Sequence, residues 1–148
     1  MNILLCGINA KYIHTNLAIR QIKGYVEENS NYLINVVEYT INNYINDILK
    51  SLYEHKPDIL GFSCYIWNIE MVKKLVVLIK KVSPKTIIVL GGPEVSYNSE
   101  ALFSEIPCDY LISGEGEQTF CELLDAINSK QGFENVGGLT FMYNGKIV

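Results

Sequence analysis

The sequence predicts an α/β fold: a parallel β-sheet covered by helices on both faces. Two observations carry that expectation. Strand-length apolar runs alternate with helix-length amphipathic stripes along the whole chain. The strand runs are almost continuously apolar, as burial on both faces of a parallel sheet requires.

The elements follow in order. Residues 2–8 form an apolar run of strand length, and from Asn16 the pattern becomes Leu17, Ala18, Ile22, Tyr25, Val26, a helical stripe that Thr15 or Asn16 would cap. Residues 33–39 return to strand character. Ile45, Ile48, Leu49, Leu52 and Tyr53 then recur at the spacing of an amphipathic helix, which Pro57 ends. Residues 59–62 form a third strand leading into Ser63. A helix over 68–82 turns Met71, Val72, Leu75, Leu78, Ile79 and Val82 inward, and Ser83-Pro84 stops it. Residues 86–90 are the most apolar strand and run into Gly91-Gly92-Pro93. A short helix near 98–105, a fifth strand over 109–112 and a helix over 117–128 complete the series. Five strands joined by right-handed crossovers predict a flavodoxin- or Rossmann-like three-layer sandwich with strand order 2-1-3-4-5. A closed barrel needs about 200 residues or more. The tail differs: Asn144-Gly145 between apolar runs predicts a β-hairpin. The domain is expected over residues 1–130, with 131–148 beginning a linker hairpin toward a further domain.

Composition narrows the function. The chain has 148 residues, is 49% hydrophobic and 19% charged, and carries a formal net charge of −4. Clustered Lys and Arg of the kind a nucleic acid requires are lacking, so no nucleic-acid partner is expected. The pairs Lys73–Lys74 and Lys80–Lys81 read as a solvated helix face. Cys6, Cys64, Cys108 and Cys121 are too scattered for a zinc or iron–sulfur motif, and buried reduced thiols are the expectation. No apolar stretch reaches the roughly 18 residues of a membrane span, and the first run lacks the basic flank of a signal peptide. A cytoplasmic location and no membrane partner are expected.

Open parallel sheets bind ligands beyond the C-terminal ends of their strands. The segments there are Asn9-Ala10-Lys11-Tyr12-Ile13-His14-Thr15, Ser63-Cys64-Tyr65-Ile66-Trp67-Asn68, Gly91-Gly92-Pro93-Glu94-Val95-Ser96 and Gly114-Glu115-Gly116-Glu117-Gln118-Thr119. Small and glycine residues let a bulky ligand approach the backbone. A dinucleotide needs Gly-x-Gly-x-x-Gly after the first strand, where Gly7-Ile8-Asn9-Ala10-Lys11 stands. A flavin mononucleotide needs a hydroxyl- and glycine-rich loop there, and only Thr15 answers. A phospho-acceptor would be an aspartate at the end of strand three, where Ser63 stands. Plainer roles remain open for several residues: His14 as a surface or capping group, Gly91-Gly92 as a tight turn, Glu94, Glu115 and Glu117 as first-turn acids favoured by helix dipoles, and Tyr65 and Trp67 as a cover for the sheet edge.

Ser63-Cys64-Tyr65, Gly91-Gly92-Pro93-Glu94 and Gly114-Glu115-Gly116-Glu117, in that order on successive strands, resemble the cobalamin-binding domain at the N-terminus of radical S-adenosylmethionine enzymes. The stretch from Asn9 to Ala18 is similar to one branch of that family. The resemblance implies a cobalamin held at the sheet edge in base-off form, with Asn9, Lys11, Tyr12, His14, Ser63, Tyr65, Trp67, Gly91, Gly92, Pro93, Glu94, Gly114, Glu115 and Gly116 as its candidate contacts. It implies a downstream radical domain in cis, holding a 4Fe-4S cluster and S-adenosylmethionine and catalysing methyl transfer or a cyclase-like reaction. This chain has no such cysteine cluster and is not expected to be catalytic alone. Many relatives carry Asp-x-His-x-x-Gly after strand one, whose His ligates cobalt. Here Asn9 and Lys11 take the Asp and His positions, and the Gly is absent. The alternative is a domain that keeps the fold without the cofactor and serves as a substrate or partner platform.

Overall fold

The computed structural model describes residues 1–11 and 16–148. Tyr12, His14 and the possible cap Thr15 lie outside the described residues. The strands are β1 (Ile3–Asn9), β2 (Ile34–Thr40), β3 (Ile59–Ser63), β4 (Ile87–Gly91), β5 (Tyr110–Ile112), β6 (Leu139–Tyr143) and β7 (Lys146–Ile147). The helices are α1 (Leu17–Asn29), α2 (Ile45–Glu54), α3 (Ile69–Val82), α4 (Ser99–Glu105) and α5 (Glu117–Ser129). Sheet order is β2-β1-β3-β4-β5-β6-β7, parallel through β5 and antiparallel beyond it. The expected parallel order 2-1-3-4-5 is therefore present, and the C-terminal hairpin extends the same sheet.

Strand periodicity divides the core in two. Ile3, Leu5, Ile59, Val89 and Ile112 face α1 and α5, burying Ile19, Val26, Phe120, Leu123 and Leu124. Leu4, Cys6, Leu60, Phe62, Ile88, Leu90 and Leu111 face α2, α3 and α4. All four cysteines are buried and free. The α3 stripe is rotated slightly from expectation: Ile69, Val72, Leu75, Val76 and Ile79 are buried, while Val82, the last residue of the helix, is half exposed. The lysine face also differs from a plain solvated one. Lys80 Nζ lies 2.8 Å from Asp109 Oδ2 and donates to the Thr86 carbonyl. Lys73 Nζ lies 2.7 Å from Glu105 Oε2, so both residues tie α3 to later elements.

The hairpin is anchored rather than free. Phe141 stands opposite Tyr110 in the β5–β6 register, and Tyr110, Phe133 and Phe141 form an aromatic cluster with centroids 5.6–6.2 Å apart. Thr119 Oγ1 donates to the Gly137 carbonyl at 2.8 Å. Asn144 and Gly145, at φ 51° and 78°, form the left-handed pair that a two-residue hairpin turn requires. Among the described residues no helix is long and apolar enough to cross a membrane.

Candidate functional site

The C-terminal ends of β1, β3, β4 and β5 meet at one edge, and Asn68 organises its centre. Its side chain is 1% exposed. Nδ2 donates to the carbonyls of Ile8 and Ser63 at 2.9 and 3.0 Å, and Oδ1 accepts from Tyr65 N at 2.8 Å. A single buried amide thus fixes the turn after β3 against the end of β1. Trp67 Nε1 also donates to the Ile8 carbonyl, at 3.1 Å, and its ring stacks on Tyr65 with centroids 4.5 Å apart. The aromatic pair therefore covers the sheet edge, with Tyr65 as the member facing inward.

Beside this turn lies a cavity of about 450 Å³ between the sheet, α1 and α5. Of the residues singled out in the sequence it brings together Ser63, Tyr65, Gly91, Gly92, Pro93, Gly114, Glu115 and Gly116. Asn9, Lys11, Trp67 and Glu94 lie outside its lining. The rest of the wall includes Leu5, Ile19, Ile22, Gly61, Val89, Ser96, Tyr97, Ile112, Glu117 and Phe120. Most of these belong to α1, α5 and strand interiors, where apolar residues read simply as core. Ser96 and Glu117 stand in the strand-end segments read from the sequence, and Gly61 carries a signal as a glycine inside a strand.

The two β4 glycines do different things. Gly92 has φ 104°, and any Cβ would collide with the Cys64 backbone, so the chain crossing itself demands glycine. Gly91 is not so constrained: an added Cβ would sit 3.8 Å from the Ile112 carbonyl oxygen, an ordinary contact. Its missing side chain leaves open space in the cavity. Ser63 and Gly91 are register partners on this face. The Ser63 side chain lines the cavity, is 7% exposed, and its hydroxyl has no protein partner among the described residues. A largely apolar slot with the Ser63 hydroxyl accessible in its wall suits a flat, largely apolar group carrying a hydrogen-bonding atom. Cys64, by contrast, is chemically quiet: burial, followed by the neighbouring Cys108 and Glu94, pushes its thiol far above the ordinary range.

At the β1 end, Glu38 gathers donors that sequence reasoning missed. Its Oε1 accepts from Asn16 N at 2.5 Å and Asn9 Nδ2 at 3.4 Å, and Oε2 accepts from Arg20 at 2.6 Å. Partial burial raises its carboxyl, but these hydrogen bonds outweigh that and hold it below the usual glutamate range. Lys11 is exposed. A smaller hollow of about 310 Å³ lies at the opposite end of the sheet, lined by Leu52, Lys56, Asp58 and Thr86 among others, without a glycine cradle.

Comparison with known proteins agrees with this geometry. The family model for the B12 binding domain matches residues 3–124. An uncharacterized methyltransferase, PH0819, from Pyrococcus horikoshii is 32% identical over 103 residues, covering 69% of this chain and 22% of that protein. The cobalamin-dependent radical SAM methyltransferase TokK from Streptomyces tokunonensis is 41% identical over 70 residues, covering 47% of this chain and 10% of that protein. The structure of the cobalamin-dependent S-adenosylmethionine radical enzyme OxsB, with aqua-cobalamin and S-adenosylmethionine bound, superposes with a TM-score of 0.84 at 20% identity, covering 99% of this chain and 22% of that one. The chain thus spans about a fifth or less of the length of these relatives. With the family model extending from β1 into α5 over the sheet edge just described, the chain belongs to the B12-binding domain family.

Proposed function

We propose that this domain holds cobalamin at the C-terminal edge of its sheet in base-off form, with the nucleotide tail in the cavity beside Gly91 and Gly92. The observation that carries the reading is Gly91: packing leaves room for a side chain there, yet the space is left open beside the Ser63 hydroxyl, which is accessible in the cavity wall and has no protein partner among the described residues. The cavity is apolar enough for a benzimidazole, and Ser63 offers a hydrogen bond to its nitrogen. Tyr65, Pro93, Gly114, Glu115 and Gly116 form the mouth that would meet the rest of the cofactor, Asn9, Lys11, Trp67 and Glu94 would supply the surrounding rim, and Tyr12 and His14, outside the described residues, stay candidate contacts on the resemblance alone. When bound, cobalamin supplies a cobalt centre for methyl or radical chemistry; the protein's part is to hold and orient it.

The names of TokK and OxsB support placing this domain in a longer cobalamin-dependent radical enzyme. Residues 1–130 would form the cofactor domain and 131–148 lead to a catalytic domain in cis, with the 4Fe-4S cluster, S-adenosylmethionine and a methyltransferase or cyclase-like activity located there. Four free cysteines, all buried, support a reducing cytoplasm as the location. The second reading, a platform without cofactor, draws on Lys11 standing where many relatives have the cobalt-ligating histidine. Mixing the chain with hydroxocobalamin, desalting and recording the visible spectrum separates the two. Near-stoichiometric corrin absorbance is expected; complete loss of colour would favour the platform.

A further inference from the structure

An asparagine at the start of a helix ordinarily turns its side chain onto the first free N–H groups of that helix. Asn68 precedes α3 and makes no such capping bond. Its amide points back at the sheet instead, and both of its ends are used there. Nδ2 donates to the Ile8 and Ser63 carbonyls, and Oδ1 takes the Tyr65 N–H. The Ile8 carbonyl lies past the end of the β1–β3 ladder, whose last pair is Cys6 and Phe62, while β1 runs on beside β2 as far as Asn9. The amide thus continues the sheet's hydrogen bonding beyond the end of β3. The near side of the same turn is tied to β4: Cys64 N donates to the Gly91 carbonyl at 2.7 Å, and the Cys64 carbonyl accepts from Glu94 N at 3.3 Å. Ser63 and Tyr65 flank Cys64, and both line the cavity.

We infer that Asn68 is a positioning residue for the cofactor site: its side chain forgoes the helix cap to hold Ser63 and Tyr65 in the cavity wall. This role rests on the cobalamin reading above. The amide itself is what the place requires. Asn68 is 1% exposed, and two donations and one acceptance are made at that buried point. A carboxylate has no donor to offer there, and a hydroxyl has one. Ser63 and Tyr65 have other backbone ties, from the β3–β4 pairing and from the first turn of α3, where the Tyr65 carbonyl accepts from Asn68 N and Ile69 N. Asn68 adds a direct link from both of them to β1, so its loss loosens the wall while the turn stays closed.

The test substitutes Asn68→Asp, which keeps the shape and the acceptor for the Tyr65 N–H but sets a carboxylate oxygen against two carbonyls. Burial and those carbonyls disfavour the charged form and hold the new carboxyl above its ordinary range. Once protonated, it can donate to one carbonyl again. The lost link therefore returns in part as pH falls through the raised value. Hydroxocobalamin affinity and the ligand-free emission of Trp67, the single tryptophan, are measured on the full chain from pH 5 to pH 8. Each profile is read as a difference from wild type, at a temperature where melts show the chain folded. At pH 8, N68D should bind cobalamin about tenfold more weakly, the size of one lost hydrogen bond, and Trp67 emission should move to the red. At pH 5 most of both changes should be reversed. Asn68→Ser, whose hydroxyl does not titrate, should lose affinity equally at both ends of the range, and it carries the test if N68D does not fold at pH 8. Wild-type affinity in a folded N68D or N68S would overturn the role and leave Asn68 purely structural. A loss in N68D that does not change with pH would overturn its assignment to the amide's donors. A wild-type chain that retains no cobalamin would instead refute the proposed function, while the Trp67 shift still reads the link to β1.

Discussion

Replacing Gly91 with leucine should separate folding from binding. An added Cβ meets only the Ile112 carbonyl oxygen at 3.8 Å and the Ile112 Cβ at 3.9 Å, so the backbone accepts it. Gly91 has no positive φ to lose. Removing a strand glycine restricts the unfolded chain and stabilises by about 0.4–1 kcal/mol where the conformation is compatible. The ligand-free domain should therefore melt at the wild-type temperature or slightly above it. The rest of the leucine side chain projects into the cavity of about 450 Å³. Forcing a ligand group past added methylenes costs about 1–3 kcal/mol, roughly 5- to 150-fold in affinity at about 1.4 kcal/mol per tenfold. Equilibrium dialysis against hydroxocobalamin reads that loss. Cobinamide, which lacks the nucleotide tail, should bind G91L as it binds the wild type. Unchanged cobalamin affinity in G91L would refute the assignment of the tail to this cavity. A large loss of ligand-free stability would show that the space at Gly91 is not open.

Ser63→Ala removes a hydroxyl with no protein partner among the described residues, so stability should hold while cobalamin affinity falls by about 0.5–1.5 kcal/mol, checked by paired melts and dialysis. Burial pushes the Cys6 and Cys64 thiols far up, and Cys108 to about 12; a thiol reagent should leave the native chain untouched at pH 8 and titrate four thiols in denaturant. Glu38 has a lowered carboxyl pKa, so its contribution is present above the ordinary glutamate range and lost as pH falls through the lowered value. E38Q should flatten that acid limb in melts taken across pH 2–6.

Strand and helix positions are legible because the central strands β1, β3, β4 and β5 are largely buried on both faces and each helix on one, which writes the two periods into the sequence. The misplacements have local causes. Val82 fits the α3 stripe on paper, but the helix ends at that residue and leaves it half exposed. Lys80 looks solvated until Asp109, from a distant segment, comes within 2.8 Å. Loop glycines and Ser63 marked the site because missing side chains at strand ends are visible in one dimension. The α1 and α5 wall was not visible, since Ile22 and Phe120 look like any core residues until the helices are docked. Asn68 and Glu38 act through partners up to 60 residues away, and no local motif announces such contacts.

On the proposed function, this domain would take cobalamin with its tail drawn off the cobalt and into the sheet edge. Electron paramagnetic resonance of the reduced cobalt(II) form, bound to the chain, tests it most directly. The nitrogen superhyperfine splitting given by the benzimidazole of free cobalamin should disappear on binding. A bound spectrum that keeps the benzimidazole splitting, or a chain that retains no cobalt signal after desalting, would contradict it.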